Sequence, residues 1–273
     1  MTEKIKQGLK TQFMGKKIFF FKDTHSTNDI AKELASKGAE AGTVVISEKQ
    51  SNGRGRLGRR WLSPAGGLWF SIILKPRIKP NEVFKLTFLT AVVVVKTLRK
   101  KFKLNAQIKW PNDILINGKK VCGVLSEIIT NLSGFINFVI IGIGINANID
   151  LNSFPKRLRF SVTSIRSELK KEIDREDFLC SLLMELENYY LLLTDGGFDL
   201  ILEEWKDLNC VLDAYVEVES LDRTIKGQAV DIAKDGALLI KLENGSVNRV
   251  ISGDVILKRF YKIRLKAASE KIS

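Results

Sequence analysis

The chain has 273 residues, of which 45% are hydrophobic and 27% charged, as in an ordinary soluble globular protein. This composition excludes a disordered or low-complexity chain, and a chain of this length buries enough surface to fold without disulfides. The formal net charge of +13 predicts attraction to acidic partners, including nucleic acid and nucleotides, without choosing among them.

The cysteine and histidine content argues against a structural metal. Cys122, Cys180 and Cys210 are odd in number and widely spaced, and the single histidine, His25, cannot complete a zinc site with them. Few, unpatterned cysteines fit a reducing compartment. No apolar run reaches the roughly 18 residues of a membrane span or forms a signal-peptide core. We therefore expect a cytoplasmic protein with no metal site of its own and no membrane contact.

The hydrophobic pattern predicts alternating strands and helices in the first part of the chain. Residues 1–17 are predicted to be a frayed basic leader. The expected elements after it are a strand at 18–22, a helix capped by Ser26 or Thr27 and ending at Gly38, a strand at 43–48, a glycine- and arginine-rich loop at 50–67, a strand at 68–74, a helix near 83–101, and strands at 107–116, 119–129 and 134–145. Asn117-Gly118 between two apolar runs predicts a hairpin turn.

The second part changes character. Residues 174–193 and 198–208 have helical patterns, and four or five short strands follow from Tyr215 onward. We predict an α+β fold in which a mixed sheet is flanked by helices over residues 18–208. A small barrel-like β domain is expected over residues 209–262, followed by a basic tail at 263–273.

The loop Gly53-Arg54-Gly55-Arg56-Leu57-Gly58 is a candidate anion-binding segment. Its glycine spacing matches a dinucleotide-binding motif, but no helix opens at the third glycine and no acid follows about 20 residues later, so we reject that interpretation. Arginines among glycines suit a phosphate or carboxylate that approaches the backbone closely. The alternative is a solvated basic loop, which the nearby Trp61 disfavours, because exposed basic loops rarely carry an indole.

The segment Lys109-Trp110-Pro111-Asn112-Asp113 precedes the predicted hairpin turn. With a two-residue turn at Asn117-Gly118, Leu115 would face Lys120 and Asp113 would face Cys122. Alternation along the strands then places Asp113, Leu115, Lys120 and Cys122 on one face of the sheet. Both a plain ion pair and a lysine directed at a ligand remain open.

Two further segments are chemically suggestive. Ser26, Thr27 and Asn28 supply more polar side chains than one helix cap requires. A hydrolase that uses His25 and Ser26 is rejected, since no G-x-S-x-G pattern occurs. Residues 142–148, Gly-Ile-Gly-Ile-Asn-Ala-Asn, end a buried strand with glycines that permit close approach of a ligand.

Taken in order, these segments resemble those of the biotin protein ligases (biotin–[acetyl-CoA-carboxylase] ligases), from about residue 18 to residue 260. The resemblance implies a class II synthetase-like catalytic domain over 18–208 and an SH3-like C-terminal domain over 209–262. It also implies a ligase that uses ATP and Mg²⁺ to activate biotin as biotinyl-5′-AMP. The biotinyl group would then pass to a lysine of a biotin carboxyl carrier protein or domain. A homodimer remains open.

The resemblance also implies roles for individual residues. Biotin would contact Ser26, Thr27, Asn28, Gln50, Arg54, Gly55, Arg56 and Lys120. ATP or the adenylate would contact Gly53, Arg56, Trp61, Lys109, Asn112 and Asn146. The catalytic set would be Arg54, Arg56, Lys120 and Asp113, with Asp113 near the point where the incoming lysine amine loses its proton.

Two alternatives remain. A lipoate or octanoate ligase or transferase would share the fold, but no Arg-Arg-x-Ser-Gly-Gly pocket motif is present. A nucleic-acid-binding module is suggested by the basic residues at 96–103, although no aromatic platform is interleaved with them. Only about 25 residues precede Ser26, too few for the helix-turn-helix domain of many relatives. We therefore expect the catalytic form alone, without specific DNA binding.

Overall fold

A seven-stranded mixed sheet forms the body of the protein in the computed structural model, which describes residues 2–131, 133–220 and 223–257. Its strands are β1 (Ile18–Phe21), β2 (Val44–Ser47), β3 (Leu68–Leu74), β4 (Ala106–Lys109), β5 (Asp113–Ile116), β6 (Lys119–Thr130) and β7 (Ile136–Ile145). Across the sheet the strands lie in the order β1-β2-β3-β7-β6-β5-β4. Neighbouring strands β1 and β2 are parallel, and every other pair of neighbouring strands in this sheet is antiparallel.

Helices cover both faces of this sheet. They are α1 (Thr2–Gly8), α2 (Thr27–Ser36), α3 (Phe84–Phe102), α4 (Ile165–Leu169), α5 (Arg175–Thr194) and α6 (Phe198–Leu208). Along β2, Val45 packs with α2, whereas Val44 and Ile46 belong to the main core that contains α3 and α5. Alternate residues of a strand point to opposite faces, so α2 lies on one face of the sheet and α3 on the other. The predicted mixed sheet flanked by helices is confirmed.

The C-terminal half of strand β7 presents isoleucines on one face of the sheet and glycines on the other. Ile141, Ile143 and Ile145 face the main core, whereas Gly142 and Gly144 point to the face that carries α2. Gly144 pairs with Gly123 of β6, so the two strands leave that face without side chains at this point. An open floor for a cavity follows directly from this period-two alternation of isoleucine and glycine.

The prediction of one strand over 107–116 is wrong. The segment forms two antiparallel strands, β4 and β5, in which Lys109 pairs with Asp113 around a turn. Pro111 lies in that turn and has no N–H for a sheet hydrogen bond, which interrupts the strand.

The predicted common face for Asp113 and Cys122 is also wrong. Leu115 pairs with Lys120 as expected, but Ile114 pairs with Cys122 and Asp113 with Gly123, which leaves Val121 as an extra residue. This bulge turns Cys122 into the core, where it is fully buried and where burial raises the pKa of its thiol. The hairpin turn itself is confirmed, since Asn117 and Gly118 both have positive φ.

The prediction of a frayed leader is wrong as well. Helix α1 buries Ile5, and Met14 is buried further along. The buried Glu187 carboxylate of α5 accepts three backbone N–H bonds from residues 12–14, at 2.5, 2.8 and 2.8 Å. These contacts place α1 and residues 12–14 against α5.

The C-terminal region forms a separate antiparallel sheet. Its strands are β8 (Tyr215–Glu219), β9 (Thr224–Ile232), β10 (Leu238–Lys241), β11 (Val247–Val250) and β12 (Asp254–Leu257), in the order β11-β10-β9-β8-β12.

We propose a domain boundary near residue 209, between α6 and β8. The predicted basic tail at 263–273 lies outside the described residues. Within the described residues, no helix has both the length and the apolar character needed to cross a bilayer.

Candidate active site

A cavity of about 410 Å³ lies on the α2 side of the sheet, over the glycine floor. The sequence-predicted site residues that line it are Ser26, Thr27, Asn28, Gln50, Arg54, Gly55, Arg56, Trp61, Lys109, Asn112, Asp113 and Lys120. Asn146 lines an adjoining cavity of about 590 Å³, which shares Trp61 and Lys120 with the first. Gly53 lines neither of these cavities, and its carbonyl accepts the backbone N–H of Trp61 at 2.8 Å.

The polar end of the cavity is built around the first turn of α2. Ser26 is the N-cap residue, but its side chain makes no capping hydrogen bond, so the polar run does more than cap the helix. Thr27 donates from its backbone N and from Oγ1 to Gln50 Oε1, at 2.8 and 3.1 Å. Gln50 Nε2 donates to Ser63 Oγ at 2.8 Å, which fixes the orientation of the Gln50 amide.

Four charged side chains form a network at the edge of this polar end. Arg54 donates both terminal nitrogens to Asp29, each at 2.6 Å, and its Nη2 lies 3.3 Å from Glu127. The hydrogen bonds and charge of Arg54 hold the pKa of Asp29 below its usual range. Burial alone would raise the pKa of Glu127, but Lys32, bonded to it at 2.6 Å, and Asn28 lower it on balance.

The second arginine of the loop joins the two sheets. Arg56 donates from Nη1 to Asn112 Oδ1 at 3.2 Å and from Nη2 to Ser252 Oγ at 3.0 Å. Arg59 forms an ion pair with Asp254 of β12. Burial lowers the pKa of the Arg56 guanidinium, although the group stays charged at neutral pH. The C-terminal sheet therefore contributes to the wall of the cavity, which no local sequence signal indicated.

A lysine and a tryptophan stand over the glycine floor. Lys120 Nζ lies 2.6 Å from Asp113 Oδ1 and 5.0 Å from the centre of the Trp61 ring. A Cβ placed on Gly144 would lie 2.6 Å from Trp61 Nε1, so only glycine leaves room for the indole. Trp61 Nε1 is buried and makes no hydrogen bond to the described residues. A buried donor of this kind is available to a ligand.

Sequence reasoning missed several residues that shape the site, among them Gly123, Glu127 and Ser71. Ser71 Oγ donates to Asn28 Oδ1 at 2.6 Å, and Asn28 Nδ2 donates to Glu127. Gly123 and Glu127 are four residues apart on β6 and therefore lie on the same face of the strand. Once the register was known, this alternation would have placed Glu127 on the cavity side.

The donor set of the cavity suits anionic groups better than a metal. No cluster of three or more His, Cys, Asp or Glu side chains arranged to hold a metal is found among the described residues. Asp113 and Asp254 each face a basic side chain, Lys120 and Arg59. Guanidinium, ammonium and amide donors converge on an enclosed volume, which is the arrangement expected of an enzyme that joins carboxylate and phosphate groups.

Comparison with known proteins agrees with this class. Residues 20–146 match the sequence model of the Biotin/lipoate A/B protein ligase family, and residues 215–258 match that of the biotin protein ligase C terminal domain. The bifunctional ligase/repressor BirA of Bacillus subtilis is 37% identical over 254 residues, covering 93% of this chain and 78% of that protein. The biotin--[acetyl-CoA-carboxylase] ligase of Paracoccus denitrificans is 31% identical over 191 residues, covering 67% of this chain and 76% of that protein.

A solved structure shows the same fold. The biotin protein ligase from Aquifex aeolicus in complex with biotin and ATP superposes with a TM-score of 0.77 at 29% identity, covering 89% of this chain and 99% of that chain. The chain belongs to the biotin protein ligase family.

Proposed function

We propose that this protein activates biotin with ATP and transfers the biotinyl group to a lysine of a biotin carboxyl carrier domain. The observation that carries the proposal is the single cavity that joins the polar end at Ser26–Asn28 to the cations Arg56 and Lys120. A neutral, hydrogen-bonding head group fits the first region, and a carboxylate beside a phosphate fits the second.

The reaction has two steps. A biotin carboxylate oxygen attacks the α-phosphorus of ATP, the bond to the β-phosphate oxygen breaks, and pyrophosphate leaves. The carrier lysine nitrogen then attacks the acyl carbon, the bond to AMP breaks, and the amine gives up a proton. Both steps gather negative charge on oxygen, so fixed cations supply the stabilisation without a covalent protein intermediate.

We assign the side chains accordingly. Ser26, Thr27, Asn28 and Gln50 bind the ureido head of biotin. Gly55, Arg56 and Lys120 bind its carboxylate and the α-phosphate. Trp61, Lys109, Asn112 and Asn146 enclose the nucleotide part of the adenylate, and Gly53 acts through the hydrogen bond that its carbonyl accepts from the backbone of Trp61. Arg54 holds the loop to α2, because Asp29 and Glu127 already engage its guanidinium. Asp113 orients Lys120 and accepts the proton of the incoming amine.

Mg²⁺ is proposed to enter with the phosphates of ATP. Mg²⁺ commonly keeps several waters and binds through substrate phosphates with one or two carboxylates. The carboxylates that line the cavity are Asp113, Glu219 and Asp254, and Lys120 and Arg59 already pair with Asp113 and Asp254, so the ion would be held mainly by the phosphates of the nucleotide. The ion would neutralise charge on the leaving pyrophosphate.

We propose that the net positive charge of the chain favours association with the carrier domain rather than with DNA. In the basic stretch of α3, Lys96, Lys100 and Lys101 form ion pairs with Glu204, Glu185 and Asp177. We also propose a cytoplasmic location. Retention on DNA should disappear near 0.2 M salt, since only phosphate contacts are available. Sequence-selective retention at that salt would instead support a repressor role, which the name of the Bacillus subtilis relative, bifunctional ligase/repressor BirA, includes.

The direct test is incubation with α-labelled ATP and biotin. We expect biotin-dependent pyrophosphate release and a labelled adenylate, followed by AMP release when a carrier domain is added. Lipoate or octanoate in place of biotin should give no more than background release. Activation of lipoate in preference to biotin would favour the other branch of the family.

A further inference from the structure

Glu127 connects two parts of the site that are far apart in the sequence. Its carboxylate accepts hydrogen bonds from Asn28 Nδ2 at 2.5 Å and from Lys32 Nζ at 2.6 Å, both on α2. It also lies 3.3 and 3.4 Å from Arg54 Nη2 on the arginine-glycine loop. Glu127 is thus a common partner of the helix and of the loop that enclose the polar end of the cavity.

The first consequence concerns the orientation of Asn28. An ionised carboxylate can only accept hydrogen bonds, so Glu127 requires the Asn28 amide nitrogen to point toward it. The amide oxygen then points to Ser71 Oγ, which donates to it at 2.6 Å. Asn28 lies against Gly142, where an added Cβ would be 2.2 Å from its Oδ1. Glu127 therefore decides which face of the amide meets a ligand on the glycine floor.

The second consequence concerns the charge of the loop. Asp29 and Glu127 supply two negative charges, and Lys32 and Arg54 supply two positive charges. The network is balanced, so an arriving phosphate gains little from Arg54 and must be bound by other cations of the cavity. Arg54 instead ties the loop to α2, and Glu127 completes that connection.

We propose that Glu127 is a positioning residue for biotin binding, acting through Asn28 and Arg54. The proposal rests on the proposed function and adds a residue to it. A carboxylate that only stabilises the fold would change the melting temperature when it is replaced, whereas a positioning residue also changes the KM for biotin selectively.

The test uses the isosteric variant Glu127→Gln in the full chain. The glutamine amide can reach the same partners, but it keeps one acceptor oxygen and replaces the other with an NH2 donor. Lys32 and Arg54 cannot accept a hydrogen bond, so the oxygen should face Lys32 and the NH2 should face Asn28, which allows the Asn28 amide to rotate. We expect the biotin KM to rise about ten- to thirtyfold, with the KM for ATP and the kcat of adenylation within about threefold of the unmodified protein. Asn28→Ala should raise the biotin KM by a similar factor, and the double variant should add little to either change.

The matched control is Glu187→Gln. Glu187 is a buried carboxylate whose partners among the described residues are the backbone N–H groups at 12–14, which lie outside the cavity. Its replacement should lower the melting temperature at least as much as Glu127→Gln does and leave the biotin KM within about twofold. If Glu127→Gln is too unstable to assay, Glu127→Asp retains the charge on a shorter side chain and should give a smaller rise in biotin KM.

The outcomes separate this proposal from the one on which it rests. Biotin-dependent pyrophosphate release by the unmodified protein, with an unchanged biotin KM in Glu127→Gln, would overturn the role of Glu127 alone. Fully multiplicative effects of the Asn28 and Glu127 variants on KM would also overturn it. Absence of release by the unmodified protein would overturn both proposals.

Discussion

The ammonium of Lys120 lies 2.6 Å from the carboxylate of Asp113, across the antiparallel β5–β6 pair. Strand alternation already places both side chains on one face, and the bulge at Val121 puts Gly123 rather than Cys122 opposite Asp113. The centre of the Trp61 ring lies 5.0 Å from the ammonium and restricts the position of the lysine side chain on another side. Lys120 is therefore oriented before a substrate arrives.

The first prediction concerns Lys120. We expect Lys120→Met to lower the rate of adenylate formation by about a hundredfold or more, since one oriented donor to a developing oxyanion is lost. Pyrophosphate release measures the effect. Lys16→Met removes an exposed lysine outside the cavity and should leave the rate unchanged. Equal rates for the two variants would contradict the role assigned to Lys120.

The second prediction separates the two roles of Asp113. Asp113→Asn should slow adenylation about tenfold, because Lys120 loses a charge-assisted hydrogen bond. Transfer to the carrier should slow more, since the carboxylate that accepts the amine proton is also lost. Single-turnover transfer from preformed adenylate measures the second step by itself. An equal loss in the two steps would leave Asp113 with an orienting role only.

The third prediction concerns the glycine floor. A Cβ on Gly144 would lie 2.6 Å from Trp61 Nε1, and one on Gly142 would lie 2.2 Å from Asn28 Oδ1. We expect Gly144→Ala and Gly142→Ala each to weaken ligand binding at least tenfold, because Trp61 or Asn28 must move. Gly8→Ala is the control, since its Cβ meets only Cys180, with Sγ nearest at 3.1 Å. Calorimetric titration with biotin and with a stable adenylate analogue would reveal the loss.

The fourth prediction concerns retention of the adenylate. Arg56 bonds Asn112 and Ser252 and faces the cavity. Charge-assisted contacts of this kind contribute about 1.5–3 kcal/mol each, so Arg56→Gly should raise the adenylate off-rate about ten- to a hundredfold. We expect adenylate still to form and to modify lysines of bystander proteins.

Two measurements test this fourth prediction in the same sample. Pyrophosphate release should persist in Arg56→Gly, and labelling of an unrelated protein should increase. Ser252→Ala, which removes one partner and keeps the arginine, should show a smaller leak. Loss of pyrophosphate release without bystander labelling would mean that Arg56 acts in the transition state and not in retention.

The fifth prediction concerns acid stability. Lys32, Asn28 and Arg54 hold the pKa of Glu127 below its ordinary value of 4.5 in the folded protein. Its stabilising contribution is therefore present above pH 4.5 and is lost as the pH falls through the lower folded value. Urea unfolding should show Glu127→Gln less stable by about 1.5 kcal/mol at pH 6, with the difference shrinking below pH 4.5. A difference that stays constant down to pH 3 would contradict this assignment.

Local rules were sufficient for most of the elements, whereas the roles of the candidate site residues came from the resemblance to biotin protein ligases. The polar run at Ser26, the arginines among glycines and the Asn117-Gly118 turn each have a short-range physical cause. The structure brings the first two to one cavity and the turn to the adjoining cavity. The pattern of β7 also determined the glycine floor, because strand alternation alone sends Gly142 and Gly144 to the face opposite the isoleucines.

Tertiary structure decided what no local rule contains. The bulge at Val121 moved Cys122 into the core, because pairing and burial against other strands set the register. Arg54 binds Asp29 and also Glu127, which is 73 residues away in the sequence. Arg56 binds Ser252, which is 196 residues away and lies between β11 and β12. A charge in a sequence has no partner until the fold supplies one, so composition identified the cations while only the packed structure showed which are already paired and which face the cavity.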